Sequence, residues 1–160
     1  MTLVPWRVPP RAESLIEKVR LIYNENLPLL ATKPLTPVTK EQQRKWWAGV
    51  DHDKVKLYVY MDPDDVWSDI VVGFSLLTDR GSYVTPMMAV TEKYHDRGYG
   101  QEIMLHYLQT AHPKPLRAQS LMLNLGICML NSLMGWKVIG SQDGVYDLWH
   151  ENGSGHDFQP

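Results

Sequence analysis

The stretch that most limits how this chain can fold is VTEKYHDRGYGQEIMLHYL, residues 90–108. In it, Gly98 and Gly100 stand where a strand pattern gives way to a helical one. The first turn of a helix leaves four backbone N–H groups without intrahelical partners, and the helix dipole adds partial positive charge there. Glycines let a ligand approach that backbone closely, so the pattern is typical of a phosphate or pyrophosphate site, where Arg97 could add a full charge. The alternative is that both glycines serve only the turn.

Two common nucleotide-binding motifs do not fit this turn. No Gly-Lys-Ser/Thr follows the glycines, which excludes a P-loop. The dinucleotide fingerprint needs a third glycine three residues after Gly100, and Ile103 stands there instead.

The order of apolar patterns predicts a strand, two helices, a three-strand meander, a helix, a strand, a helix and a hairpin. Thr39 and Gln42 form a capping-box pattern that opens the second helix, which runs to about Gly49. The order predicts a mixed α/β or α+β fold, with a central sheet of six to seven strands and about four helices, and not a doubly wound fold. The predicted strands cover residues 2–6, 54–61, 70–77, 82–90, 118–123, 136–140 and 145–149, and the predicted helices cover residues 11–23, 39–49, 98–111 and 125–134.

One predicted strand contains a proline. Pro86 lies within residues 82–90, and proline donates no hydrogen bond to a ladder. We therefore expect a bulge or a splayed position at residues 85–88. On the predicted first meander strand, Val55, Leu57 and Val59 alternate and should share one buried face. The segments 31–40 and 62–69 are rich in turn-forming residues and are predicted loops.

Composition excludes several classes of protein. The chain has 160 residues, a net charge of −2 and a pI near 6.3, which gives no footprint for nucleic acid or an anionic membrane surface. No apolar run approaches the roughly 18 residues of a membrane span. Cys128 is the one cysteine, so no disulfide framework is expected, and a cytoplasmic location fits. We expect one domain at residues 1–150 and a polar tail at 151–160.

The glycine turn resembles the acetyl-CoA-binding motif of the GNAT superfamily of N-acetyltransferases. In that family a strand ends in Val-x-Pro-x-Tyr-Arg-x-Arg-Gly-x-Gly and a helix begins. His95 departs from the Gln/Arg at the start of the motif's core, and Glu92 stands where proline is common. The matching residues are Val90, Tyr94, Arg97, Gly98 and Gly100.

A second segment, NLGICMLNSLMGW, is similar to the family's Asn, Leu-Tyr and Gly-Phe series. Asn124 and Leu130 match, and Gly135-Trp136 replaces Gly-Phe at the family's spacing. Asn131 occupies the position of a tyrosine that usually protonates the departing coenzyme A thiolate.

The resemblance implies transfer of an acetyl group from acetyl-CoA to an amine of a small molecule or protein. It implies that backbone groups of Met88, Ala89 and Val90 bind the pantetheine arm. Asn124 would bind the pantetheine or order the helix that follows. The pyrophosphate contacts carried over from the motif are His95, Arg97, Gly98, Tyr99, Gly100 and Gln101.

The catalytic groups are less well defined by the sequence. Glu92 is a candidate base at the end of the central strand, or a solvated loop carboxylate. Asn131 does not titrate, so it cannot act as a general acid, but it can hydrogen-bond a thiolate. Ser132, Cys128 or water could take the acid's place.

Further polar residues have two interpretations each. Asp51, His52 and Asp53 could line an acceptor site or bind a metal, or form only a polar loop, and we predict no metal site. Tyr58 and Tyr83 could reach the cleft or simply pack. Acidic residues such as Asp51, Asp53 and Asp147 could attract a cationic amine.

Two functions from different classes remain open at this stage. The first is a working N-acetyltransferase that uses acetyl-CoA and an amine acceptor. The second is a GNAT-like fold that keeps the cofactor pocket but acts as a binding or inhibitory module, with a protein partner or as a homodimer. His95 and Asn131, two of the departures from the family pattern, motivate the second hypothesis.

Overall fold

The computed structural model describes residues 3–31, 36–64 and 70–153. Within these ranges the chain forms a seven-stranded sheet and four α-helices in the predicted order. Residues 32–35 and 65–69 of the two predicted loops, and residues 154–160 of the predicted tail, lie outside the described residues. The strands are β1 (Val4–Arg7), β2 (Val55–Met61), β3 (Val71–Asp79), β4 (Val84–Val90), β5 (Leu116–Leu121), β6 (Lys137–Gln142) and β7 (Val145–His150). The helices are α1 (Glu13–Glu25), α2 (Lys40–Gly49), α3 (Tyr99–Ala111) and α4 (Leu125–Leu133), with 3₁₀ turns at Leu27–Leu29 and Glu92–Tyr94.

Local signals in the sequence form as predicted. The Gln42 backbone N–H donates to the Thr39 hydroxyl over 3.1 Å, and the Thr39 N–H donates to the Gln42 side chain over 2.9 Å. This is the predicted capping box, and it satisfies N–H groups that the start of α2 would otherwise leave unpaired. Asp143 and Gly144 have φ values of 52° and 77°, as a tight two-residue turn between β6 and β7 requires.

Helices cover both faces of the sheet. The strand order is β1-β2-β3-β4-β5-β7-β6. Helices α3 and α4 pack on one face, and α1 and α2 pack on the other. Leu57 and Val59 are buried as predicted, whereas Val55 is only half-buried. Tyr60 and Met61 are buried as well, because the sheet has no solvated face at β2.

The proline strand opens the sheet on one side only. The pairing of β3 with β4 runs without a register shift from Asp79 to Gly73, and Pro86 sits opposite Leu77, so the predicted bulge is wrong. The predicted splay lies on the other side, where the parallel pairing of β4 with β5 is confined to Val84 and Leu116. Pro86 is tolerated because its missing N–H faces this open side.

Two of the boundaries that differ from the sequence prediction depend on tertiary contacts. Strand β5 begins at Leu116 and not at residue 118, because its pairing with β7 starts where Leu116 meets His150. Asn152, assigned to the tail, is buried and donates to the backbone carbonyls of Leu108 and Lys114, both over 3.0 Å. The end of the described chain is thus tied to α3 and to the segment before β5.

Candidate functional site

A cleft of about 1250 Å³ opens where β4 and β5 part. Its walls are the open edge of β4, the facing edge of β5, the start of α3 and the inner side of α4. At the other end it reaches the α2 side of the sheet, where Trp46 and Met87 line it. The cleft therefore passes from one face of the sheet to the other through the gap between the two strands.

The backbone of β4 presents alternate residues to this gap. The Val84 N–H points toward β5, where it donates to the Pro115 carbonyl over 2.9 Å. Because backbone direction alternates along an antiparallel strand, Pro86, Met88 and Val90 turn the same edge toward the cleft. Pro86 has no N–H, so Met88 carries the first backbone donor beyond the point where the strands part.

The carbonyl at the end of β4 is already engaged. The oxygen of Val90 accepts from the Asn26 side-chain amide over 3.0 Å and lies 2.7 Å from His95 Nε2. A carbonyl only accepts, so His95 Nε2 carries the proton in this contact. His95, which departs from the motif, thus fixes the loop before α3 to the end of β4.

The start of α3 has no side-chain cap. Gly98 is the capping residue, has φ of 80° and offers no side-chain acceptor. The Glu102 N–H makes a long bond, 3.4 Å, to the Gly98 carbonyl. The backbone N–H groups of Tyr99, Gly100 and Gln101 come before this first intrahelical hydrogen bond, and the three residues line the cleft. Their dipoles make this end of the cleft suitable for an anion.

Arg97 does not join the cleft lining. Its guanidinium carbon lies 5.2 Å from the centroid of the Tyr94 ring, a cation–π distance. Asp96, just before it, has φ of 61° and does line the cleft. Of the ten predicted cofactor residues, the structure brings together nine, and Arg97 is the one that stays outside.

Asn124 has a structural role in α4. Its side-chain oxygen accepts from the Ile127 N–H over 3.3 Å and so caps the helix. Its amide nitrogen donates to the Leu29 carbonyl over 3.2 Å. The predicted helix-ordering role is therefore present, and the residue also lines the cleft.

Buried polar side chains line the cleft where α3 and α4 cover it. Asn131 and Tyr107 are both buried, and burial raises the pKa of Tyr107, so its hydroxyl keeps its proton. Ser120 Oγ and Trp136 Nε1 are also buried, and neither has a hydrogen-bond partner among the described residues. The sequence does not predict Tyr107 and Ser120 as cleft residues, because their periodicity indicates only core positions, and it indicates Trp136 only as part of the second motif.

Glu92 lies away from the cleft. It is exposed in the 3₁₀ turn after β4, and its N–H approaches the Glu25 carboxylate over 3.3 Å. The structure thus favours a solvated loop carboxylate over a base in contact with substrate. Cys128, whose thiol lies 3.5 Å from the Leu121 carbonyl, and the exposed Ser132 are also absent from the described lining.

The polar loop before β2 holds no metal-like cluster. The His52 ring packs edge-on against Trp47 at 4.4 Å, and the Asp53 N–H donates to the Asp51 carboxylate over 3.0 Å. Among the residues that the structure describes, no three His, Cys, Asp or Glu side chains are grouped as metal ligands.

The remaining candidate residues either pack against another side chain or line the cleft. Tyr58 packs against His106 at 5.0 Å. Tyr83 lines the cleft. Asp147 lines it too, but forms an ion pair with Arg117 over 2.6 Å. The guanidinium of Arg117 thus offsets the attraction that the Asp147 carboxylate would have for a cationic amine.

Comparison with known proteins identifies solved structures that have the same architecture. The sequence matches no protein-family profile and no curated protein at a significant level. Solved structures do match in fold. A GNAT superfamily phosphinothricin acetyltransferase from Sinorhizobium meliloti, in complex with AcCoA, aligns with a TM-score of 0.76 and 13% identity, over 100% of this chain and 94% of that one. A GCN5-related N-acetyltransferase from Kribbella flavida gives 0.74 and 16% identity, over 93% and 96%.

A third match has the same character. A spermidine N-acetyltransferase chimera from Vibrio cholerae and hSSAT aligns with a TM-score of 0.77 and 10% identity, over 96% of this chain and 98% of that one. No helix in the described part of the chain is long and apolar enough to cross a membrane. The fold predicted from the sequence is confirmed: the chain has the fold of the GNAT superfamily of N-acetyltransferases.

Proposed function

We propose that this protein is an acyl-CoA-dependent N-acyltransferase that transfers acetyl from acetyl-CoA to an amine of a small molecule or protein. The proposal rests on one observation: a single cleft contains both the start of α3, which has no side-chain cap, and the edge of β4 that is not paired with β5. A matched structure of the same fold, at 13% identity, was crystallised with AcCoA. We also propose that the described chain works as one domain.

The residues present suit this cofactor. The N–H groups at the start of α3 would hold the pyrophosphate, with Gly98 and Gly100 leaving room for close approach. A Cβ on Gly98 would meet no atom within 4 Å, so the space in front of this turn is open. The exposed edge of β4 would bind the pantetheine through backbone hydrogen bonds, as an added strand does. When bound, acetyl-CoA supplies the activated acyl group.

Met88 is the backbone group best placed to stabilise charge on the acyl oxygen. Its N–H faces the cleft, and Pro86 before it contributes only a carbonyl. A fixed backbone N–H costs no reorganisation when negative charge develops, which is how oxyanion donors act. We assign this role to Met88.

The cleft offers hydrogen-bond donors for a leaving thiolate in place of the missing tyrosine on α4. Asn131, Tyr107, Ser120 and Trp136 carry neutral polar groups that are buried beside it. A thiolate is stabilised by such donors and, with a pKa of about 8.5 for an ordinary thiol, can take its proton from water. Asn131 therefore acts in this proposal as a donor and not as a titrating acid.

The acceptor amine is expected from the α2 side, because the start of α3 occupies the other opening. Trp46, Leu76 and Met87 line that side and favour an acceptor with an apolar body. Among described lining residues the carboxylates are Asp96, in the loop before α3, and Asp147, paired with Arg117. The amine must then lose its proton to solvent, so the rate should rise with pH up to the pKa of the acceptor.

Two observations are consistent with a second function. Asn131 replaces the expected proton donor, and Glu92 lies outside the cleft. A catalytically impaired GNAT-like protein that binds a protein partner or inhibits it would show both features. The two functions differ in turnover and not in cofactor binding.

Calorimetry with acetyl-CoA, followed by thiol release on panels of amines and peptides, tests the proposal. We expect micromolar binding and release of thiol with at least one acceptor. Absence of binding at millimolar acetyl-CoA would refute both the proposed enzyme activity and the proposed cofactor pocket. Binding without turnover on every panel would instead favour the binding module.

A further inference from the structure

The cleft has a polar floor on the α1–α2 side of the sheet. Leu76 pairs with Met87, and both pack against the core on that side. Thr78 pairs with Thr85 two residues further along the ladder, so both threonines face the same side. Both are half-buried and line the cleft, so their hydroxyls are open to a ligand. We call this part of the cleft, from Thr85 to the hairpin before β4, the acceptor end.

A neutralised ion pair lies across the gap on β5 and β7. Leu116 is buried in the core on the α3–α4 side, so Arg117, the next residue, faces the α1–α2 side. Asp147 precedes Leu148, which is buried in that same core, and therefore shares the face of Arg117. The Arg117 guanidinium lies 2.6 Å from the Asp147 carboxylate, and both residues line the cleft. The two charges of this pair cancel.

Arg80 stands at the far limit of the acceptor end. Its N–H donates to the Tyr83 carbonyl over 2.9 Å, within the hairpin that joins β3 to β4. Together with Val55 and Thr78 it lines both the cleft and an adjoining hollow of about 470 Å³. Its side chain is exposed, so a ligand can reach it. Among the residues that the structure describes, its guanidinium forms no ion pair.

The carboxylates nearest to Arg80 are themselves balanced. Asp79, its neighbour in sequence, pairs with Lys114 over 2.9 Å. Asp51 lines the adjoining hollow, and Lys54 lines it too. Within the described residues, the charge of Arg80 is thus the one that the acceptor end leaves uncompensated. Such a site attracts anions and repels a second cation.

We propose that the acceptor is an elongated amine with a carboxylate at its far end, and that Arg80 binds this carboxylate. The inference rests on the proposed acetyl transfer and names the acceptor class for it. A guanidinium donates two parallel, charge-assisted hydrogen bonds to a carboxylate. In the transfer the amine nitrogen bonds to the acetyl carbon as the C–S bond breaks. One proton passes from the amine to solvent, and the leaving sulfur takes one from water.

Strand geometry gives the length of this acceptor. Tyr83, beside Arg80, is five residues from Met88, a span of about 17 Å at roughly 3.4 Å per residue. An extended arginine side chain reaches back over about 6 Å of it. Hydrogen-bond contacts at the two ends leave about 7 to 10 Å between amine and carboxylate, beside the apolar Leu76 and Met87. A free α-amino acid, with its charged groups about 3 Å apart, is too short.

A homologous series of unbranched ω-amino carboxylates, from glycine upward in single-methylene steps, tests the acceptor class by thiol release. The matched controls are n-alkylamines of equal length, which lack only the carboxylate. We expect kcat/KM to peak at about five to seven methylenes. At that length it should exceed the value for the alkylamine about 10-fold or more. Added salt should reduce this preference, because it screens the charge of an exposed guanidinium.

Two variants should change the preference in opposite directions. Arg80→Gln should raise the KM of the best ω-amino carboxylate about 10-fold or more, with kcat within about 3-fold and the alkylamine unaffected. Asp147→Asn frees the Arg117 guanidinium beside the same floor and should lower that KM about 2- to 5-fold. The matched control is Arg11→Gln, which removes the same charge at an exposed position outside the cleft lining and should behave like the unaltered chain. Circular dichroism checks that each variant folds.

A binding measurement separates this inference from the proposed activity. Calorimetry with N-acetyl-ε-aminocaproate, the product of one member of the series, needs no turnover. Its Kd should rise about 10-fold or more in Arg80→Gln and stay unchanged in Arg11→Gln. Binding of this kind in a protein without turnover would support the anion site while refuting acetyl transfer.

Three results would overturn the acceptor class and leave acetyl transfer standing. The first is an equal kcat/KM for carboxylates and alkylamines, and the second is a maximum at glycine. The third is a KM or product Kd that Arg80→Gln does not change. A protein that neither acetylates the series nor binds the N-acetylated product would overturn it as well.

Discussion

Filling the space beside Gly100 should block the proposed cofactor path and leave the fold intact. A Cβ at this position would lie 3.5 Å from Met88 Cε and 3.6 Å from Leu130 Cδ2, which are ordinary contact distances to flexible side-chain ends. Replacing a helical glycine gains up to about 1 kcal/mol in helix propensity. The Gly100→Leu variant should therefore stay within about 1 kcal/mol of the original free energy of unfolding.

Cofactor affinity should respond very differently. The leucine branches would extend between β4 and α4, where we propose that the pantetheine passes, so we expect at least a 100-fold loss, about 2.7 kcal/mol. Calorimetry with acetyl-CoA gives the affinity, and urea unfolding gives the stability. Gly49→Leu, at the end of α2 where a Cβ meets nothing within 4 Å, is the matched control and should bind normally.

The result that refutes this reasoning is an unchanged affinity in a folded Gly100→Leu protein. It would show that the cofactor does not pass between Met88 and Leu130. If that variant proves unstable, Gly100→Ala makes the same test with a smaller side chain, and a loss of at least several-fold is expected.

Three further variants or conditions test other parts of the structure. Gly73→Ala would place a Cβ 2.6 Å from the Ala89 carbonyl oxygen, so it should destabilise the fold by about 1–3 kcal/mol in urea unfolding. Asn124→Ala removes the cap of α4 and should cost about 1 kcal/mol in the same assay. Burial lowers the pKa of His150, whose Nδ1 accepts from the Asn152 N–H over 2.9 Å. Because the unfolded chain then binds the extra proton more readily, the free energy of unfolding should fall as pH drops below about 6.5, and His150→Gln should reduce that dependence.

Features of the chain that depend on near neighbours were predictable from the sequence. The capping box of Thr39 and Gln42 and the turn at Asp143-Gly144 are set by residues at most three apart. The start of α3 after Gly98 is equally local, since an unstrained positive φ at that position needs glycine. Helix and strand periods then gave the element order, from which the fold class followed.

Features that depend on distant segments were not predictable in the same way. Pro86 indicated a broken ladder, but not whether the break would face β3 or β5. Glu92 follows the central strand closely, yet the 3₁₀ turn carries it to solvent. Tyr107 and Ser120 have the spacing of core residues, and only the parting of β4 and β5 gives them a cleft to line.

The sequence by itself therefore determined the elements, the fold class and a glycine turn suited to an anion. The tertiary structure alone decided that this turn, the Met88 backbone and the inner side of α4 share one cleft. It also decided that the charge-free outer side of α4 faces solvent. The physical reason is that periodicity shows which side of a helix is apolar, while burial depends on which other elements pack there. Because α4 has no charged residue on any side, only the packed structure shows which side is left uncovered.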